Sequence, residues 1–250
     1  MTWRDEPMLA FDLETTGTDP ETARVVTACA GMSMAPGQWS PMEWRLNPGV
    51  PIPATAAAVH GITDADVTDW SAQDDALAEI RGRLVNAATY EVPIVGHNLA
   101  YDLTLLDREF RRHLGAELPV GLLVLDTLVL FRRFDLTTGG RRLEQLAARH
   151  GITFPAHDAT ADALASLRLL HILAADNDLL PLVSVHDLQP LQAKWHAAHQ
   201  TAAASKRLGN GQSADGFDTH WPMRPFTEQE PSPPTTVVAP PAACIPKETP

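Results

Sequence analysis

Residues 7–13 (PMLAFDL) form a short, largely apolar run behind a proline, which predicts a buried strand. Two further runs, 24–34 (RVVTACAGMSM) and 39–46 (QWSPMEWR), flank the turn dipeptide Pro36-Gly37. Together they predict a meander of three strands. The period then lengthens. Residues 54–60 and 73–88 predict helices, and in the second Ala76, Leu77, Ile80 and Leu84 recur at helical spacing behind Asp74 and Asp75. Residues 92–97 (VPIVGH) predict a strand, and 100–114 a helix with Leu103, Leu106, Phe110 and Leu114 on one face. Residues 120–126 (VGLLVLD) predict a fifth strand that runs into helical sequence through Arg133. Helices over 141–150 and 158–175 follow. Strand and helix alternate in the second half, so the expected class is α/β, a mixed five-stranded sheet with helices on its faces.

The character changes near residue 178. Residues 182–207 predict one more helix, interrupted at Pro190. The aromatics Phe217, Trp221 and Phe226 lie in polar, Gly-rich sequence. The stretch 180–226 holds Leu179, Leu180, Leu182, Val183, Leu188, Leu191 and Trp195 in and around it, too many apolar groups to stay exposed, so it is expected to fold back onto the body. His196 and His199 are expected at the surface. Residues 231–250 contain seven of the chain's 21 prolines and predict disorder. The expected organisation is a main α/β unit over 1–178, a helical and irregular extension over 179–230, and a Pro-rich tail over 231–250.

Charge sharpens the question of function. The chain carries 31 acidic and 19 basic residues, for a net charge of −12. Residues 1–180 hold 25 of the acids, 14 arginines and no lysine. Nucleic-acid-binding domains are usually basic, so charge alone argues against one. The acids are either a solvating surface or, in part, a cluster that holds metal ions and inverts the local balance. Only Cys29 and Cys244 are present, which makes a thiolate zinc site and a structural disulfide poor readings. No apolar run is long enough to span a bilayer and no signal-peptide core follows Met1, so a cytoplasmic location without membrane contact is expected.

Three segments hold candidate chemistry. In Phe11-Asp12-Leu13-Glu14-Thr15-Thr16-Gly17 a strand puts Asp12 and Glu14 on the same face. Two acids at the end of an apolar strand are costly unless cations accompany them, and oxygen-only ligands suit Mg²⁺ or Mn²⁺. Read alone, they also fit a strand that simply meets solvent there. In Gly96-His97-Asn98-Leu99-Ala100-Tyr101-Asp102 the strand stops and Asp102 falls in the first turn of a helix, as a site carboxylate or as an ordinary dipole-favoured acid. In His157-Asp158-Ala159-Thr160-Ala161-Asp162-Ala163, Asp158 is placed to cap a helix, Asp162 sits one turn in, and His157 lies on the loop before it.

Together the three segments resemble the DEDDh branch of the DnaQ-like 3′→5′ exonucleases, the family of the proofreading epsilon subunit of bacterial DNA polymerase III. FDLETTGTDP is similar to the family's first motif, VGHNLAYDLTLLDREF to its second, and HDATADA to its third, H-x-A-x-x-D-A. Val59-His60-Gly61-Ile62-Thr63, Leu125-Asp126-Thr127 and Leu143-Glu144-Gln145-Leu146 add to the likeness, which covers roughly residues 7–175.

The resemblance implies a ribonuclease-H-like fold and metal-dependent exonuclease activity at the 3′ ends of single-stranded nucleic acid. It implies DNA before RNA as substrate, and action alone or as a DNA polymerase subunit. It implies two divalent ions, Mg²⁺ or Mn²⁺, on Asp12, Glu14, Asp102 and Asp162, with His157 as general base. Leu13, Thr15, Thr16, Gly17, His60 and Asn98 would surround the terminal nucleotide. The pairs Arg111–Arg112, Arg132–Arg133 and Arg141–Arg142 are either solvated helix faces or followers of the phosphate backbone. The alternatives are an exoribonuclease, and a non-catalytic scaffold on the same fold.

Overall fold

The computed structural model describes residues 2–35 and 37–227. The predicted Pro-rich tail and Cys244 lie outside them. Five strands make one sheet: β1 (Met8–Thr15), β2 (Val25–Ser33), β3 (Glu43–Arg45), β4 (Ile94–Gly96) and β5 (Val124–Asp126). The order across the sheet is β3-β2-β1-β4-β5. The first three strands form the expected antiparallel meander, and β4 and β5 add in parallel. Among the described residues seven α-helices flank the sheet: α1 (Ala54–His60), α2 (Gln73–Thr89), α3 (Leu99–Leu114), α4 (Thr127–Phe134), α5 (Leu143–Arg149), α6 (Ala159–Ala175) and α7 (Val185–Gly209). This is the mixed α/β, ribonuclease-H-like architecture.

Alternation along β1 sorts the molecule into two cores. Leu9, Phe11 and Leu13 join α2 and α3 residues such as Ile80, Leu103 and Phe110 on one face. Met8 and Ala10 join α4 and α6 residues such as Phe131, Ala163 and Leu170 on the other. Phe11, Phe110 and Phe131 are fully buried, each worth about 2–3 kcal/mol of transfer free energy. Asp12 and Glu14 continue the series of Met8 and Ala10, so they face α6. The β1–β2 register shifts immediately after Glu14, which ends regular pairing at the last acid of the strand.

Four predicted elements differ. Strand β3 is only Glu43–Arg45 of the predicted 39–46, with Ser40 held in an isolated bridge to Met32, and β4 is only Ile94–Gly96 of the predicted 92–97. Strand β5 is only Val124–Asp126; residues 120–123 form the turn before it, where Gly121 takes φ +80°. Helix α7 runs unbroken through Pro190. Pro190 lies in the helix's second turn, where its missing N–H leaves the His186 carbonyl without a helical donor and costs one bond.

Helix α7 also replaces a sheet neighbour. The outer edge of β5 directs Val124 and Asp126 away from β4. Gln189 accepts from the Val124 N–H (2.9 Å) and donates to its C=O (3.0 Å). Gln192, fully buried, accepts from the Asp126 N–H (2.9 Å) and donates to the Val124 C=O (2.7 Å). Two glutamines one turn apart thus satisfy the edge that a sixth strand would pair.

Beyond α7 the chain folds back as expected. Trp221 and Met223 pack on the α2–α3 core, and Phe226 stacks over the Arg111 guanidinium at 4.3 Å. Arg108, buried in α3, ties this segment down. It binds Glu21 through two hydrogen bonds (2.7 and 3.0 Å), Asp107 at 2.8 Å and the Pro225 carbonyl at 3.0 Å. The expected surface position of His196 is wrong: it is buried, with its Nε2 3.0 Å from the Asp218 carbonyl oxygen. The returning segment covers it, a long-range contact that helical spacing does not show. Leu179 and Leu182 stay exposed.

Candidate active site

Three elements converge at the C-terminal end of β1. Strand β1 supplies Asp12 and Glu14. Helix α3 supplies Asp102, and its start is fixed by the β4–α3 junction. There Gly96 is required, because a Cβ would lie 2.6 Å from the Phe11 carbonyl oxygen. Asn98 turns the chain in the left-handed region (φ +69°) while its N–H donates to Asp126 Oδ1 at 3.0 Å. Helix α6 supplies Asp162, and its N-terminus is capped by Asp158, which accepts from the Ala161 N–H at 2.9 Å. His157, just before the cap, is exposed and takes φ +67°. Only three non-glycine residues among those described have positive φ, and His157 and Asn98 are two of them. Such backbone costs about 1–2 kcal/mol per residue, so surrounding contacts must hold it.

These residues border one cleft of about 580 Å³ that takes in Asp12, Glu14, Asp102, Asp162 and His157. Glu14, His157 and Asp162 are closest, with ligand atoms all within 4.8 Å of one another. The His157 N–H donates to Asp162 Oδ1 at 3.2 Å. Burial and mutual repulsion act on the acids. Burial, then the charges of Asp102, Asp162 and Glu14, holds the Asp12 carboxyl well above the usual range. Burial, opposed by the main-chain N–H at its own position and reinforced by Asp126 and Glu14, does the same to Asp102. Burial, with Asp162 and Asp158, pushes Glu14 up to about 8. Burial pushes Asp162 up to about 7 against the lowering effect of the His157 N–H. Four carboxylates that resist ionisation, all oxygen donors, fit hard divalent cations, which would relieve the repulsion.

The proposed nucleotide-contacting residues surround a second hollow of about 530 Å³ that adjoins the first at Glu14, Asn98 and Tyr101. Thr15, Thr16, Gly17 and His60 line it; Leu13 lines the main cleft, and Asn98 lines both. Several of them already have structural duties. Thr16 Oγ1 accepts from the Arg24 N–H at 2.9 Å, closing the β1–β2 turn. His60 Nδ1 accepts from the Ile62 N–H at 3.1 Å, while its Nε2 is buried without a partner among the described residues. Burial also lowers the His60 pKa.

Sequence reasoning did not single out Tyr101. Its hydroxyl lies 2.7 Å from Thr15 Oγ1 and donates to the Gly17 carbonyl, tying α3 to the turn after β1. Its place beside Asp102, in the first turn of a helix that begins at a strand end, was the available signal. His97 was also passed over. Its ring bridges Thr127 Oγ1 and the Arg141 carbonyl oxygen, both at 2.9 Å, and burial lowers its pKa. Of the arginine pairs, Arg111 and Arg112 are tied to Asp107 and Glu109, whereas Arg132, Arg141 and Arg142 line the cleft.

The RNase_T exonuclease family model matches residues 9–170, a span that contains all three motifs. The chain belongs to this exonuclease family. It is 35% identical over 181 residues to a DNA polymerase III subunit epsilon-like protein of Rhodobacter capsulatus, covering 67% of this chain and 24% of that protein. It is 27% identical over 178 residues to a PolC-type DNA polymerase III of Pediococcus pentosaceus, covering 71% of this chain and 12% of the relative. The chain therefore spans about a quarter or less of the length of these relatives. Among solved structures it is similar to E. coli Exonuclease I in complex with a dT13 oligonucleotide, with a TM-score of 0.61 and 21% identity over 70% of this chain and 42% of the other. It is also similar to Exonuclease X in complex with 5′ overhanging duplex DNA, with a TM-score of 0.51 and 23% identity over 68% of this chain and 93% of that one. At such identities the structural likeness speaks for the fold. Family and fold together make this a DnaQ-like exonuclease of the ribonuclease-H-like superfamily. No helix among the described residues is long and apolar enough to cross a membrane.

Proposed function

We propose that this exonuclease hydrolyses phosphodiester bonds from the 3′ end of single-stranded DNA, with two divalent ions, Mg²⁺ or Mn²⁺, and a histidine base. The observation that carries this reading is the convergence of four carboxylates from β1, α3 and α6 on one cleft, with an exposed histidine at their edge. Asp12, Glu14, Asp102 and Asp162 would hold the ions; their four negative charges match two divalent cations before a phosphodiester arrives. The ions supply Lewis-acid stabilisation of the attacking and leaving oxygens.

The remaining work falls to the chain. His157 is placed to take the proton from the attacking water, whose oxygen bonds to phosphorus as the bond from phosphorus to the 3′ oxygen breaks. The products are a nucleoside 5′-monophosphate and a strand one nucleotide shorter with a free 3′ hydroxyl. Leu13, the Thr15–Gly17 turn, His60 and Asn98 form the walls against which the terminal nucleotide would rest. Relatives named as DNA polymerase III proteins, and a structural neighbour solved with a DNA oligonucleotide, support DNA as substrate and a DNA polymerase as a partner.

The test is digestion of matched 5′-labelled single-stranded DNA and RNA with Mg²⁺, Mn²⁺ or EDTA. A ladder shortening from the 3′ end is expected on DNA, with either metal and not with EDTA. Asp12→Asn should abolish it, and His157→Gln should lower kcat roughly 100- to 10,000-fold. Faster degradation of RNA would make the enzyme an exoribonuclease. Inert wild-type protein on both strands would leave the scaffold reading in front.

A further inference from the structure

We propose that Arg132 on α4 is the group that binds the phosphate one nucleotide 5′ of the scissile bond, and so sets the enzyme's preference for a strand over a single nucleotide ester. The inference rests on the exonuclease reading above. Three observations lead to it. Arg132 is half-buried in the wall of the 580 Å³ cleft that also holds the four carboxylates. It makes no hydrogen bond and no ion pair with any described residue, and its desolvation lowers its pKa. A desolvated guanidinium without a partner is costly unless an anion enters the cleft.

Two of its charged neighbours are already committed. Arg141, on the same wall, donates to the carbonyls of Asp135 (2.8 Å) and Thr137 (2.7 Å). Asp126, the carboxylate that acts on Arg132, spends Oδ1 on the N–H groups of Asn98 (3.0 Å) and Leu128 (2.9 Å). Arg142 also lines the cleft without a side-chain hydrogen bond or ion pair among the described residues, but it is exposed, so Arg132 is the half-buried free fork of this wall for a planar, charge-assisted contact.

Its position selects which phosphate. Arg132 comes from α4, whereas the four acids come from β1, α3 and α6, so the cation enters the shared cleft from an element that carries none of the acid cluster. Leu128, four residues earlier on α4, lines the same cleft. An (i, i+4) pair shares one helix face, so this face offers an apolar contact beside a cation. That combination suits the sugar and 5′ phosphate of the next nucleotide. In a chain this acidic, such a cation also offsets repulsion of the incoming strand.

The experiment compares two substrates in wild type, Arg132→Gln and Arg132→Lys. One is a short oligothymidylate. The other is the p-nitrophenyl ester of thymidine 5′-monophosphate, which has a hydrolysable phosphodiester and no phosphate upstream of it. Arg132→Gln should raise KM for the oligonucleotide roughly tenfold or more, as expected for loss of one charge-assisted hydrogen-bonded contact, with kcat changed little. Ester hydrolysis should stay within about twofold, and Arg132→Lys should recover part of the KM. A neutral methylphosphonate at the upstream position should weaken wild type and leave Arg132→Gln unaffected. Equal losses on both substrates, or an unchanged oligonucleotide KM, would overturn the assignment while leaving the exonuclease reading intact. Wild type inactive on both substrates would overturn both.

Discussion

At the scale of single residues, the site stores repulsion that its ligands remove. Glu14 and Asp162 have folded-state pKa values of about 8 and 7, above those of an unfolded carboxyl near 4. Between those limits the native state binds more protons than the unfolded one, so stability falls as pH rises. Metal-free protein in EDTA is therefore expected to lose Tm as pH is raised from 5 to 8, and excess Mg²⁺ at pH 8 should restore it. Glu14→Gln should flatten the EDTA profile and stabilise the metal-free protein at pH 8 while abolishing turnover. A Tm that stays level across that pH range would mean that neither burial nor repulsion by neighbouring charges holds these carboxyls up. Tyr101 serves the opposite purpose. Its hydroxyl holds Thr15 Oγ1 and the Gly17 carbonyl in place, so Tyr101→Phe should cost about 1 kcal/mol in urea unfolding. If that turn also positions the terminal nucleotide, KM should rise in the same variant, and an unchanged KM would confine Tyr101 to a structural role.

At the scale of elements, legibility followed locality. The chemistry of β1 could be read because period-2 alternation is a local rule: Met8, Ala10, Asp12 and Glu14 share a face in sequence and in structure. The Asp158 cap and the placement of Asp162 one turn later were equally local. What the sequence hid is long-range. Nothing in VGLLVLD says that only its last three residues pair, because the preceding apolar residues belong to a turn that leads into the sheet. Nothing near Gln192 says that it completes the edge of a strand 66 residues away. Nothing near His196 says that residue 218 will cover it. The β5 edge gives the test at this scale. Gln192→Leu keeps the volume and strands the Asp126 N–H and one contact of the Val124 carbonyl, for a cost of about 1–3 kcal/mol. Because Asp126 anchors both α4 and the Asn98 N–H, activity should fall with stability. A variant as stable as wild type would show that water takes over the edge.

At the scale of the molecule, an acidic nuclease must still hold a polyanion. Residues 1–180 have 25 acids, 14 arginines and no lysine, and many of the arginines serve the fold. Arg108, Arg111, Arg112 and Arg149 are engaged with Glu21, Asp107, Glu109 and Asp135. Few cations are left to displace counterions from a strand, so the bound divalent ions should supply much of the attraction. Single-stranded DNA binding is best measured with His157→Gln, which keeps all four carboxylates and cleaves slowly. Affinity should fall on the order of tenfold or more when EDTA replaces Mg²⁺, and the salt dependence with Mg²⁺ should be shallow, with few phosphates neutralised by side chains. Adding Arg132→Gln should weaken the Mg²⁺ complex further and reduce the slope by about one contact. Equally tight binding in EDTA would place the attraction on the protein's own cations, and the acidic balance of the chain would then describe its outer surface and not its cleft.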